Sequence, residues 1–134
     1  MDDDTLRAAL TEYFAPWVQA LGLKVEARKS EGVVLRLPQS VQLSRVGGML
    51  CGQAMMAAAD SAMVLALINH FGEFRPCTTV QLSTSFLKPL SNQDALVEAR
   101  IVRAGKALAF GEIDIRGAED GKSVCRTSTT YALL

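Results

Sequence analysis

The segment from Met49 to Phe71 constrains this chain more than any other. It contains Leu50, Ala54, Met55, Met56, Ala57, Ala58, Ala59, Ala62, Met63, Val64, Leu65, Ala66, Leu67 and Ile68. Ala, Met and Leu favour helix. A helix that is apolar on nearly every side is either enclosed in protein or spans a membrane. Length alone would permit a span. Asp60 in the middle argues against one, since a carboxylate at bilayer depth costs several kcal/mol. The expectation is a central helix buried in a domain without a membrane partner.

The flanking sequence supplies the cover. Lys24–Lys29 and Val33–Leu37 alternate and are joined by a Glu31-Gly32 turn; a loop runs from Gln39 to Gly48. Beyond the helix, Thr78–Leu87 alternates with Val80, Leu82, Thr84 and Phe86 on one face. Ala95–Arg103 places Ala95, Val97, Ala99 and Ile101 together, and Ala107–Arg116 does the same with Ala107, Ala109, Gly111, Ile113 and Ile115. Lys122–Leu133 is a last, Thr-rich strand. The short turns Ala104-Gly105-Lys106 and Glu119-Asp120-Gly121 imply antiparallel pairing. The first twenty residues read as an amphipathic helix carrying Leu6, Leu10, Phe14 (or Tyr13), Trp17 and Leu21, with Pro16 kinking or ending it and Gly22 as its stop. The reading is an α+β fold, one domain over 1–134: an antiparallel sheet wrapped around a long central helix, with an N-terminal helix (1–22) packed on it. One sheet covers only part of such a helix, so a homodimer is expected to seal the rest.

Composition excludes several classes. With 49 % apolar and 21 % charged residues, the chain can bury a core and is not intrinsically disordered. The 14 basic side chains match 14 acidic ones, so nothing marks a nucleic-acid partner. Cys51, Cys77 and Cys125 show no CxxC spacing, and there is one histidine, His70. Neither a disulfide scaffold nor a metal site is expected. Reduced thiols and the acidic start Met1-Asp2-Asp3-Asp4 point to a cytoplasmic protein without a secretory signal.

Asp60 carries the chemistry. No basic residue lies within a helical turn of it, which favours an acid, base or nucleophile in a cleft over an ion pair. Gly47, Gly48 and Gly52 crowd the helix start, where free backbone N–H groups suit an anion or a polarised carbonyl oxygen. Gly52 and Asp60 are eight residues apart, about 12 Å along one helix. If both serve one reaction, they come from two chains with antiparallel helices, giving two equivalent sites per dimer. Cys51 could act as a nucleophile at the helix start, but His70 is about 28 Å away along the helix, so Cys51 reads as a packing residue. His70 suits the helix C-terminus, and Glu112 and Asp114 share the face opposite Ile113 and Ile115.

Gly47-Gly48-Met49-Leu50-Cys51-Gly52-Gln53, followed by Ala57-Ala58-Ala59-Asp60-Ser61-Ala62, resembles the hotdog-fold thioesterases of the phenylacetate-pathway and 4-hydroxybenzoyl-CoA type. The likeness continues through Thr79–Pro89 and the Arg103-Ala104-Gly105-Lys106 turn, covering roughly residues 20–133. Cys51 stands where the family usually has His, Gln53 replaces the second Gly, and Ser61 replaces Thr. The resemblance implies an acyl-CoA thioester hydrolase needing no cofactor, with CoA present only as part of the substrate. Asp60 would be nucleophile or general base, the partner chain's Gly52 amide would polarise the carbonyl, Gln53 could donate near its oxygen, and Thr79 would lie near the attacking water. Ser61, Arg103, Gly105 and Lys106 would form the substrate and CoA subsite, the cationic heads meeting phosphates. It further implies a dimer of dimers. Two other functions compete: a non-catalytic acyl-binding or assembly protein, in which Asp60 would be paired and closed off, and an enoyl or hydroxyacyl thioester hydratase, which would require a histidine near the helix start.

Overall fold

A computed structural model describes residues 1–134. The chain runs α1 (Asp3–Glu12), α2 (Pro16–Gln19), β1 (Lys24–Lys29), β2 (Gly32–Leu37), a 3₁₀ turn at Val41–Leu43, α3 (Gly52–Phe71), β3 (Cys77–Phe86), β4 (Ala95–Ala104), β5 (Leu108–Gly117) and β6 (Ser123–Leu133). The six strands form one antiparallel sheet in the order β1-β2-β4-β5-β6-β3, so β1 and β3 are its edges. The sheet wraps α3, the hotdog arrangement that the sequence resembles.

Helix α3 is the core. Ala58, Ala59, Ala62, Met63, Leu65 and Ala66 are fully enclosed. Of the alternating residues expected to share a face, Ala95, Val97, Ala99, Ile101, Ala109, Ile113 and Ile115 are buried, whereas Ala107 precedes β5 and is exposed. Small residues on the helix let the strands approach closely, and Gly111 of β5 sits against the Met63 side chain. Gly72 ends the helix at φ 79°, where its N–H bonds the Ile68 carbonyl. One face of α3 lacks cover. Gln53 and Met56 are exposed there, and Gly52, Ala57, Asp60 and Val64 are half-buried.

Two expectations change. The N-terminal region is two helices, not one over residues 1–22. Asp2 caps α1 by accepting from the Thr5 N–H at 2.8 Å, and the helix stops at Glu12. Pro16 disfavours helical backbone in the residue before it, and Ala15 is indeed extended at φ −59°, ψ 150°. Pro16 then opens α2 from its first position. The break re-aims the second segment: Leu6 and Leu21 are buried, but Trp17 is 65 % exposed and does not join the buried stripe.

The second change is in β3. Thr79 pairs with Tyr131 and Gln81 with Thr130, leaving Val80 in a bulge. A bulge inserts one residue and re-aims its neighbours. Val80 is therefore not on the inner face with Leu82; it is 58 % exposed, and Thr79 shares the inner face instead.

Candidate active site

Asp60 lies in the middle of α3 on its uncovered side. The bulge in β3 brings Thr79 to it, and the Thr79 hydroxyl donates to Asp60 Oδ1 at 2.8 Å. Tyr131 of β6, opposite Thr79 and 2 % exposed, reaches the same oxygen: its hydroxyl is 2.5 Å from Asp60 Oδ1 and 3.0 Å from the Asp60 carbonyl oxygen. Two hydroxyls thus converge on Oδ1. Asp60 forms no ion pair, and Oδ2 has no hydrogen-bond partner in the chain.

Burial, and then the negative charge of Asp60, hold the Tyr131 phenol far above its ordinary pKa. It is a permanent donor at any working pH. Sequence reasoning missed Tyr131. It sits in a Thr-rich strand with no motif of its own, and only the pairing with the bulged strand exposes its role.

Asp60 opens on a cleft of about 310 Å³. Its walls are Ala57, Ser61 and Val64 of α3, Cys77–Thr79 and Tyr131 of the sheet, Phe74, and Tyr13, Phe14, Trp17 and Val18 of the N-terminal segment. The Tyr13 ring stacks on Phe74, centroids 4.0 Å apart and 8° from parallel. Cys77 is half-buried, and burial followed by the Asp60 charge pushes its thiol pKa up. It stays a thiol and offers no competing nucleophile.

The other expected site residues fall into three places. Ser61 is buried on the cleft wall, its hydroxyl donating to the Ala57 carbonyl at 2.8 Å. Gly52 and Gln53 open α3, two helical turns from Asp60, about 12 Å along the axis. The preceding Cys51 contributes no side-chain cap, so the first amides of the helix have no partner from it. A Cβ on Gly52 would lie 3.2 Å from the Phe86 ring, which accounts for glycine there by packing as well. Arg103 lies near the end of β4, and Gly105 and Lys106 lie in the β4–β5 turn. Ala104, Ala109, Tyr131 and Thr79 make one row across the sheet, so this turn lies at the same end as the cleft. Arg103 and Lys106 are exposed, and neither pairs with an acid. Within one chain, the structure brings together Asp60, Thr79 and Ser61, but not Gly52, Gln53 or the basic turn. His70 is exposed at the far end of α3, ten residues from Asp60.

Residues 47–124 match the sequence model of the thioesterase superfamily. The chain belongs to the thioesterase superfamily. A Thermoplasma acidophilum protein described as a candidate esterase is 28 % identical over 100 residues, 74 % of each chain. Among solved structures, a Haemophilus influenzae thioesterase superposes with a TM-score of 0.89 at 19 % identity, covering 100 % of this chain and 91 % of that one. A mutant phenylacetic acid degradation protein of Thermus thermophilus superposes at 0.77 with 23 % identity, covering 90 % and 100 %. These likenesses establish the hotdog fold, and membership of the superfamily supports a hydrolase of thioesters or esters.

Proposed function

We propose that this thioesterase-superfamily protein hydrolyses acyl-CoA thioesters to the free acid and CoA, with Asp60 as the reacting group. The observation that carries the reading is the state of Asp60: a carboxylate without an ion-pair partner, open to an apolar cleft, with one oxygen held by two hydroxyls and the other unoccupied. An assembly protein has no use for such a group, because an unpaired half-buried carboxylate is costly. A hydratase reading lacks its histidine, since His70 is about 15 Å along the helix from Asp60.

Thr79 and Tyr131 hold Oδ1, and Oδ2 reacts. As a general base, Oδ2 takes a proton from water while the water oxygen adds to the thioester carbonyl carbon. The C–S bond then breaks, and the CoA sulfur leaves as thiolate and is protonated. As a nucleophile, Oδ2 itself adds to that carbon, expels the thiolate and leaves an anhydride that water opens. Either route needs a donor for the carbonyl oxygen. The Gly52 amide of a second copy fills this role, with the Gln53 side chain beside it, because Gly52 and Asp60 of one helix are too far apart to share a carbon. The uncovered stripe of α3, next to the exposed edge strand β3 with Phe86 51 % exposed, is where that copy docks. Arg103 and Lys106 meet the CoA phosphates, with Gly105 keeping their turn tight. Pairing of two such dimers gives the tetramer.

The test is thiol release by purified protein on aryl, short, medium and long acyl-CoAs, with Asp60→Asn alongside. Hydrolysis lost by about three orders of magnitude in the variant is the expected result. Undiminished activity in Asp60→Asn sinks the mechanism.

A further inference from the structure

The cleft over Asp60 is built by two unlike parts of the chain. The catalytic side comes from α3 and the sheet, and further wall comes from the α1–α2 connection and α2 itself. That segment contributes Tyr13, Phe14, Trp17 and Val18, and it is anchored by the Tyr13–Phe74 stack and by Phe14 and Val18 packing on the core. At about 310 Å³, the space is at the small end of ligand clefts. No Lys, Arg or His lines it, and Asp60 is its sole ionisable carboxylate. An acyl group bearing its own carboxylate would therefore meet like charge with no cation of this chain's part of the cleft to balance it.

Resting on the thioesterase reading, we propose that residues Tyr13–Val18 form the acyl-selecting wall. It admits uncharged, compact apolar acyl groups, and Trp17 is the specificity-determining residue at its outer end. Trp17 lines the cleft yet is 65 % exposed, an uncommon position for a large aromatic ring. Its burial contributes little to the core, so its placement is explained by what it faces. Removing the ring opens the outer end of the cleft, and longer chains then extend through it. Selectivity between homologous acyl groups of this kind is set by apolar contacts, each methylene changing the rate ratio by roughly tenfold or more.

The experiment compares kcat/KM for straight-chain acyl-CoAs of two to twelve carbons, and for glutaryl-CoA against pentanoyl-CoA, in wild type, Trp17→Ala and Trp17→Phe. Trp17→Ala is expected to raise the decanoyl-to-butyryl ratio by about tenfold, Trp17→Phe to keep the wild-type ratio, and glutaryl-CoA to react at least about tenfold more slowly than pentanoyl-CoA. A second readout is independent of turnover. Trp17 is the single tryptophan of the chain, so acyl-CoA added to Asp60→Asn protein shifts its emission, and free CoA does not. A chain-length profile unmoved by Trp17→Ala, equal use of the two five-carbon substrates, or silent Trp17 emission at saturation overturns the proposal. Failure of the wild type to cleave any thioester overturns the hydrolase reading instead, and this proposal with it.

Discussion

Replacing Tyr131 by Phe tests whether the carboxylate is held in place by its neighbours. The substitution keeps the buried ring and deletes only the hydroxyl that reaches Asp60 Oδ1 at 2.5 Å and the Asp60 carbonyl at 3.0 Å. A hydrogen bond to a charged group contributes about 1.5–3 kcal/mol. Thr79 still donates to Oδ1, and the cleft admits water, so the lower end applies. If that energy serves to fix Oδ2 for reaction, about 1.4 kcal/mol of barrier corresponds to a roughly tenfold fall in kcat. KM should stay within about twofold, because the hydroxyl contacts the carboxylate and not the acyl chain. Thr79→Val should behave alike. The double variant should fall short of the product of the singles, since both residues hold one oxygen. The assay is thiol release under saturating and limiting acyl-CoA, with near-ultraviolet circular dichroism to confirm packing. A well-folded Tyr131→Phe protein with wild-type kcat refutes the positioning role, as would a loss confined to KM.

Three further outcomes follow from the geometry. Tyr131 has its pKa raised by burial and by Asp60, so it adds stability below the unfolded tyrosine value of about 10 that is lost as pH rises above it. Urea midpoints should drop on the alkaline side, and Tyr131→Phe should flatten that slope. The Asp94 carboxyl is held low by the Gln39 N–H at 2.7 Å and then by Arg36 at 3.0 Å, so its contribution is present above about pH 4 and fades as pH falls further; Asp94→Asn should shallow the acid limb of a melting-temperature profile. Gly32→Ala would set a Cβ 1.9 Å from the Ala99 carbonyl oxygen, backbone that cannot step aside, and should cost about 3 kcal/mol in chemical denaturation.

Strand spans, inner faces and the central helix were legible because alternation and an all-round apolar helix are strong, local signals. Asp60 was legible for the same reason, as a charge without a nearby partner. What escaped was non-local. Alternation put Val80 beside Leu82, and nothing in that stretch announces the extra residue that turns Thr79 inward instead. Tyr131 becomes visible only once β6 is registered against β3. Pro16 announced a break, but not that the segment around it would line the cleft and leave Trp17 exposed there.

The bulge at Val80 also governs how the site can change length. Thr79 and Leu82 both face α3, separated by two residues where regular pleating would leave one. Loss of one residue at Val80 or Gln81 would restore strict alternation and leave every other side chain on its present face. A single-residue gap anywhere else in the strand would turn part of it over and carry the hydroxyl away from the carboxylate. Alignments of this chain with its relatives should therefore treat a one-residue difference at that point as neutral. The hydroxyl stays nineteen residues after the helix acid, and is to be sought either two or three residues before the inward-facing residue equivalent to Leu82.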